Sequence, residues 1–147
     1  MTINPLIFRA YDIRGIAQTM PDELADLTPE TMFALGQGIG TYMQRKYGRH
    51  IVCGKDNRLS SDELQEAFIS GMLRTGCKVM HVGHASSPMI YFASCKYDVD
   101  GGINITASHN PKQYNGVKLV AKNAHSICGD ELQEVLRIIQ DEDFLEG

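Results

Sequence analysis

The sequence lacks the features that would direct it to a membrane, to the cell exterior or to nucleic acid. Its formal net charge is -4, so no excess of positive charge favours a polyanionic partner. No apolar run approaches the ~20 residues that a membrane-spanning helix needs, and the chain does not open with a basic and then hydrophobic leader. We therefore expect a cytoplasmic globular protein that binds neither nucleic acid nor a membrane.

Cysteine is sparse as well, and its spacing is unlike that of a metal site. The four cysteines form no C-x-x-C pair. Each lies in or beside an apolar segment, where a thiol packs as a small hydrophobic group; they are Cys53, Cys77, Cys95 and Cys128. We expect reduced thiols packed in the core and no zinc centre.

What the sequence does contain is a regular alternation of helical and extended patterns after an irregular stretch up to Leu27. Thr28 followed by Pro29 is typical of a helix start, and Ser60 with Glu63 has the spacing of a capping box. The patterns predict helices over 28–48, 60–76, 86–97 and 129–141, and strands over 50–54, 78–83, 101–107 and 116–121.

Strands alternating with helices indicate βαβ units. The predicted fold is an α/β protein: a three-layer α/β/α sandwich with a mixed, mostly parallel sheet. Only the last two strands lack an intervening helix, so they should be antiparallel neighbours. Residues 1–144 form one predicted domain, and 145–147 form a linker or tail that adds no packing.

The polar stretch "SHNPKQYN" separates those last two strands. Ser108 directly follows a strand, and ligands of open α/β sheets bind at the carboxyl ends of strands. A serine hydrolase is disfavoured, because neighbours in an extended chain point in opposite directions and His109 would not reach the Ser108 hydroxyl. The G-x-S-x-G elbow is absent too. A metal site of His81, His84 and His109 is also disfavoured, because a histidine that hydrogen-bonds to backbone is the commoner outcome.

A serine that carries or contacts a phosphoryl group fits the stretch better. Such a site needs a hydroxyl on a tight loop, backbone N–H donors and cations. Lys112 and Lys118 supply positive charge nearby. On the residues alone, a merely structural hairpin connection with turns at Pro111 and at Asn115-Gly116 stays open.

Further cations stand in the N-terminal segment "FRAYDIRG". Arg9 and Arg14 bracket Tyr11 and Asp12 there. The segment is too polar for a core strand, and Gly15 indicates a sharp turn. On its own, the simplest role for Arg14 is a salt bridge to Asp12.

Four motifs in a fixed order now carry a resemblance: "FRAYDIRG", "GKDNRLSS", "TASHNP" and "YNGVK". In this order and spacing the chain resembles the α-D-phosphohexomutase superfamily, and within it the N-terminal domain of the phosphomannomutase/phosphoglucomutase branch. The "SICGD" that follows is similar to a segment of bacterial phosphomannomutases. The resemblance covers the chain from Ile7 to about Phe144.

The resemblance implies a phosphoryl carrier. Ser108 would be phosphorylated in the active enzyme, donate its phosphoryl group to a hexose monophosphate to form a bisphosphate, and recover one from the other position. His109 and Lys118 would be proton-transfer or charge-stabilising groups. A phosphate oxygen on Ser108 would be one ligand of a Mg²⁺ ion. The implied substrate- and phosphate-binding residues are Arg9, Tyr11, Arg14 and Asn110.

The chain also departs from the superfamily. Members have four domains, and 147 residues have the length of the first. No D-x-D-x-D occurs, and Ser108 alone cannot satisfy a hard cation that prefers six oxygens. The resemblance therefore implies that the other domains of the same polypeptide act with this one on a mannose or glucose phosphate, and that this piece alone is inactive. The alternative is a non-catalytic module that binds phosphate or sugar phosphate.

Overall fold

The buried strand β2 (His50–Lys55) shows how the sheet is covered. Ile51 and Cys53 belong to the larger apolar core, whereas Val52 belongs to a smaller core on the other face. Because successive strand residues point to opposite faces, β2 is buried on both sides, as in a layered α/β protein. The computed structural model describes residues 2–147.

Five further strands complete one sheet. They are β1 (Ile13–Ile16), β3 (Lys78–His84), β4 (Gly101–Ile105), β5 (Tyr114–Ala121) and β6 (His125–Ser126). The order is β1-β5-β4-β2-β3, with β6 paired to the end of β5. Strand β2 runs parallel to β3 and β4, and β5 runs antiparallel to β1, β4 and β6. The mixed sheet and the antiparallel last pair are confirmed. Parallel pairing is confined to β2, β3 and β4, because the two strands that the sequence did not predict, β1 and β6, both pair antiparallel with β5.

Helices cover both faces, which confirms the three-layer sandwich. Helices α1 (Pro29–Lys46), α2 (Ser61–Arg74) and α4 (Asp130–Gln140) contribute to the larger core, and α3 (Ser87–Lys96) packs on the opposite face. Helices α1 and α2 cross at two glycines. A Cβ on Gly36 would lie 2.1 Å from the Phe68 carbonyl oxygen, and one on Gly71 would lie 2.1 Å from that of Phe33. Only glycine permits such an approach of two backbones.

Of the two predicted helix caps, one is confirmed and one is wrong. The Thr28 side chain accepts a hydrogen bond from the Thr31 N–H at 3.2 Å, as expected of an N-cap. Ser60 has helical backbone angles and makes no side-chain cap. Its hydroxyl instead accepts a hydrogen bond from the Asn115 side-chain amide at 2.9 Å, so a long-range contact replaces the local one.

The N-terminal segment corrects a prediction. "FRAYDIRG" contains β1, and Gly15 lies inside that strand opposite Asn115 rather than in a turn. The turn comes earlier, where the Arg9 N–H donates to the Asp12 carbonyl at 2.8 Å. A polar residue is compatible with this strand because Ile13 is buried in the larger core, whereas Arg14, next to it, points to the other face of the sheet.

Two smaller expectations also change. Cys53 and Cys77 are buried thiols, but Cys95 is exposed and Cys128 is half-buried. Residues 145–147 do add contacts, because the Leu145 N–H donates to the Thr41 hydroxyl at 3.0 Å and the Gly147 N–H donates to the Arg74 carbonyl at 3.1 Å. No helix within residues 2–147 combines the length and apolarity that crossing a bilayer requires.

Candidate active site

The loops that follow β2 and β4 meet at one edge of the sheet, because the two strands are parallel neighbours. Ser108 lies in the second loop, residues 106–113, and is exposed. Its φ of 58° is left-handed, a region that residues other than glycine seldom occupy. The Ser108 N–H donates to the Thr106 hydroxyl at 3.0 Å, so a local side chain stabilises this backbone conformation.

Asp56, in the first loop, ties the two loops together. Its carboxylate accepts hydrogen bonds from the Thr106 hydroxyl at 2.8 Å and from the Ser61 hydroxyl at 2.7 Å. It also pairs with the Arg58 guanidinium at 3.0 Å. Burial acts to raise the pKa of Asp56, but the hydrogen bonds from Ser61, Arg58 and Thr106 outweigh it and hold the pKa below its ordinary value. Asp56 is therefore an anion at neutral pH.

A cleft of about 1030 Å³ opens beside the Ser108 loop. Four predicted site residues line it: Ser108, His109, Asn110 and Lys118. Lys112 of the same loop lines the cleft as well, and residues from other elements close it, among them Gln18, Ser86, Ser87, Tyr91 and Asn104. Its size suits a sugar phosphate better than a macromolecule.

A second cleft, of about 640 Å³, adjoins the first. Its lining includes the remaining predicted residues: Arg9, Tyr11 and Arg14. Asn110 and Lys118 line both clefts. The structure therefore brings all seven predicted site residues to one region, with Ser108 and the N-terminal arginines on either side of a shared boundary.

Strand alternation explains why cations point into this region. Val117 and Leu119 are buried in the larger core, so Lys118 between them faces the opposite side of the sheet. The same rule applies to Arg14, which follows the buried Ile13 on the neighbouring strand. Gly116 permits the three strands to converge, since a Cβ there would lie 2.2 Å from the Ile13 carbonyl oxygen.

The charges of the site are only partly balanced. Arg14 pairs with Asp12, which confirms the salt bridge considered for it, and it also donates to the Asn110 side-chain oxygen at 3.1 Å, so its guanidinium contacts the Ser108 loop. Within residues 2–147, neither Lys112 nor Lys118 forms a salt bridge with a carboxylate. An anion in the cleft would meet uncompensated positive charge.

The disfavoured metal site gains no support. His81 hydrogen-bonds with the Gln65 side-chain oxygen at 2.7 Å. His109 lines the large cleft, and neither His81 nor His84 does. Across residues 2–147, no three histidine, cysteine or carboxylate side chains are grouped to hold a metal ion.

Sequence reasoning missed three residues that shape the site, namely Asp56, Arg58 and Thr106. Asp56 and Arg58 stand in "GKDNRLSS", a motif whose residues have no role predicted from the sequence. The available signal was a run of polar residues directly after a buried strand, at the same sheet edge as Ser108. The partners of Asp56 and Arg58, however, lie about fifty residues further along the chain.

Fold and site together define an α/β/α domain with a polar, cation-lined loop at the carboxyl ends of its strands. The chain belongs to the phosphoglucomutase/phosphomannomutase family. Residues 5–146 match the part of that family described as "Phosphoglucomutase/phosphomannomutase, alpha/beta/alpha domain I".

Individual relatives agree with this assignment. A "Probable phosphoglucosamine mutase" of Pyrococcus abyssi is 42% identical over 134 residues, which cover 91% of this chain and 28% of the relative. A "Phosphomannomutase" of Klebsiella pneumoniae is 40% identical over 139 residues, which cover 93% of this chain and 82% of the relative. The crystal structure of a phosphoglucomutase/phosphomannomutase family protein from Burkholderia thailandensis superposes with a TM-score of 0.87 at 32% identity, over 99% of this chain and 32% of that one. The chain thus spans less than a third of the Pyrococcus and Burkholderia proteins.

Proposed function

We propose that this chain is the phosphoserine-bearing domain of a hexose phosphate mutase, with mannose or glucose phosphates as substrates. Ser108 carries the phosphoryl group, and the remaining domains of the same polypeptide complete the active site. The reaction interconverts hexose 1-phosphate and hexose 6-phosphate through a bisphosphate. The fragment by itself is inactive.

One observation carries the proposal: Ser108 is an exposed hydroxyl held in left-handed backbone at a cation-lined cleft. A residue other than glycine keeps such a conformation only where the surrounding structure enforces it, and such residues cluster at functional sites. Here Thr106 enforces it, and Lys118 stands beside the loop without a carboxylate partner among residues 2–147.

The chemistry is two phosphoryl transfers of opposite direction. In the first, a sugar hydroxyl forms a bond to the phosphorus on Ser108, the Ser108 O–P bond breaks, and the hydroxyl proton passes to a base. In the second, the serine oxygen forms a bond to the phosphorus at the other end of the bisphosphate, the bond from that phosphorus to its sugar oxygen breaks, and the base returns the proton to that oxygen. Because the transition state is loose, positioning and positive charge do most of the work. We assign proton transfer or charge stabilisation to His109 and Lys118, and anion binding to Arg9, Tyr11, Arg14 and Asn110.

Mg²⁺ is part of the proposal for the whole enzyme, but the described residues do not fit a magnesium site. Such an ion needs several oxygen ligands in near-octahedral geometry. The chain offers an oxygen on phosphorylated Ser108 and, within residues 2–147, no cluster of three histidine, cysteine or carboxylate side chains that could hold a metal ion. No step is therefore assigned to the ion here.

The decisive experiment compares Ser108→Ala with wild type in the complete polypeptide that contains these residues. We expect Ser108→Ala to abolish interconversion of the 1- and 6-phosphates. In wild type, phosphopeptide mass spectrometry should place the phosphoryl group on Ser108. Ser126→Ala, an exposed serine on β6, is the matched control and should keep wild-type turnover. Full activity in Ser108→Ala would overturn the proposal.

The 147-residue chain tested alone separates the two candidate functions. A mutase domain should show no turnover by itself. A non-catalytic binding module would instead bind a hexose phosphate unaided while the complete polypeptide stays inactive. Robust turnover by the isolated chain would contradict our assignment of the missing groups to other domains.

A further inference from the structure

The guanidinium of Arg58 uses every donor that it has. Its Nη2 donates to the carbonyls of Ser108 at 3.1 Å and Asn110 at 2.8 Å. Its Nη1 donates to the carbonyls of Pro111 at 2.8 Å and Tyr114 at 3.2 Å. The Nε–H goes to Asp56 at 3.0 Å. Arginine has five side-chain N–H donors, and here each one has an acceptor.

Asp56 fixes the direction in which Arg58 points. The carboxylate accepts from both the Nε–H and the backbone N–H of Arg58, the latter at 3.1 Å. The same carboxylate accepts from Thr106, whose hydroxyl in turn accepts the N–H of Ser108. A single charged pair thus contacts the loop on both sides of Ser108.

The four carbonyls that face Arg58 determine where the amide hydrogens point. In a planar trans peptide the C=O and N–H are antiparallel, and the described chain has no cis peptide. The N–H of His109 shares a peptide with the Ser108 carbonyl, and that of Lys112 shares one with the Pro111 carbonyl. Both N–H groups therefore point away from Arg58. Within residues 2–147 neither donates to a protein acceptor, and both residues line the large cleft.

We propose that Arg58 is a positioning residue for phosphoryl transfer. By drawing four loop carbonyls to one side, it holds the Ser108 hydroxyl in place and turns the free N–H groups of His109 and Lys112 toward the transferred phosphoryl group. The inference rests on the proposed mutase function. It adds to that function a residue that lines the large cleft but gives all of its side-chain donors to protein acceptors, and therefore acts through the shape of the loop.

The contacts of Arg58 with the loop depend on the number and direction of its N–H donors and not only on its positive charge. A variant that keeps the charge and changes the donors can therefore test the positioning role. Lysine keeps the charge but has three donors on one nitrogen, so it cannot reach four carbonyls and a carboxylate at once. Arg58→Lys should therefore loosen the loop. Arg74→Lys is the matched control, because Arg74 is an exposed arginine at the other end of α2.

The first measurement is amide hydrogen exchange on the 147-residue chain, which needs no catalysis. In Arg58→Lys we expect faster exchange at Asn110 and Tyr114, whose N–H groups bond within the loop, and unchanged exchange in β4 and α1. Arg74→Lys should match wild type at all of these sites. Unchanged loop exchange in Arg58→Lys would overturn the positioning role.

The second measurement uses the complete enzyme. We expect kcat to fall by about 10²-fold in Arg58→Lys, the effect of a small misplacement of reacting groups, with a much smaller change in KM. Arg58→Ala should recover activity with added guanidinium ion but not with methylammonium, a result that general destabilisation would not produce. Wild-type kcat in Arg58→Lys, or equal rescue by both ions, would overturn the proposal. If Ser108→Ala kept full turnover, the mutase assignment would fail while the exchange result stood on its own.

Discussion

Two clusters of side chains, each centred on a carboxylate, lie in different parts of this small domain. One shapes the loop at the candidate site, and the other joins two helices. In the loop cluster, Asp56 binds Arg58 and Thr106 and so shapes residues 106–114. In the tyrosine cluster, Glu131 at the start of α4 accepts hydrogen bonds from the hydroxyls of Tyr42 and Tyr47 on and just after α1, the second at 2.8 Å, and lies 3.7 Å from His125.

The electrostatics of the two carboxylates are alike. Burial acts to raise the pKa of Glu131, but hydrogen bonds from Tyr42 and Tyr47 outweigh it and lower the pKa, as happens at Asp56. The Tyr42 hydroxyl responds in the other direction: burial and the neighbouring carboxylate raise its pKa. A perturbed carboxylate therefore does not by itself distinguish a functional site from a structural one.

What distinguishes the clusters is what they leave unpaired. The tyrosine cluster joins two helices, its groups are paired with one another, and Glu131 lines neither of the two clefts described above. In the loop cluster, Arg58 donates to backbone carbonyls. Among residues 2–147, the Ser108 hydroxyl, the N–H groups of His109 and Lys112, and the ammonium groups of Lys112 and Lys118 stay unpaired with carboxylates or carbonyls at the open cleft. Unmatched donors and cations at a surface favour an anionic ligand.

The largest expected effect is in the loop cluster. Asp56→Ala removes four hydrogen bonds and leaves the partly buried Arg58 without its carboxylate. Breaking such a pair costs about 3 kcal/mol of unfolding free energy. Urea denaturation of wild type and variant measures it, with Asp22→Ala as the exposed control. A loss as small as that of the control would mean that the contacts around Asp56 are not stabilising.

Acid should remove part of this contribution. The folded protein holds the pKa of Asp56 below its ordinary value, so the stabilisation is complete above about pH 4 and is lost as the pH falls through the folded pKa. Asp56→Asn lacks the ionisation. The stability gap between wild type and Asp56→Asn should therefore be wide at neutral pH and narrow in acid, as urea titrations at both pH values would show. A gap that is the same at both would exclude the carboxylate charge as its source.

The tyrosine cluster should respond less. Both tyrosine hydroxyls donate to the same Glu131 oxygen, so Glu131→Gln keeps an oxygen acceptor there but loses the charge, at a cost of about 1 kcal/mol. Since the cluster contributes nothing to either cleft, turnover of the complete enzyme should be unchanged. Thermal denaturation and the mutase assay report the two quantities separately. A drop in kcat would show that the two clusters are coupled and would remove the contrast drawn between them.

The sequence predicted those parts of the molecule that depend on local pattern. The helices and strands β2 to β5 follow from apolar periodicity. The Ser108 loop meets the loop after β2 because the ends of parallel strands share an edge, whereas Lys118 and Arg14 reach the site through side-chain alternation on the antiparallel strands β5 and β1. Strand β1 escaped prediction because four residues with arginine in second position carry little pattern, and their pairing is set by residues 114–117, a hundred positions away.

The role of Arg58 could not be predicted for the same physical reason, namely that its partners are distant along the chain. An arginine in a polar loop is ordinarily a solvated charge. What gives it a function is a set of four carbonyls 50 to 56 residues further along the chain. Carbonyl acceptors leave no trace in the choice of amino acid, so no reading of side chains could have identified them.

The smallest predicted effect concerns Ser108 itself and tests whether the loop cluster stores strain. At a φ of 58° a Cβ crowds the neighbouring carbonyl, which costs about 1–2 kcal/mol, whereas glycine adopts this conformation freely but costs about 0.5–1 kcal/mol in the entropy of the unfolded chain. Ser108→Gly should thus be more stable than Ser108→Ala by about 0.5 kcal/mol, although both lack the hydroxyl. Equilibrium unfolding of the two variants side by side isolates the backbone term, because the lost side-chain oxygen cancels between them. If Ser108→Ala were the more stable, the left-handed conformation would not be maintained by the loop cluster, and the holding role assigned to Asp56 and Arg58 would lose its energetic basis.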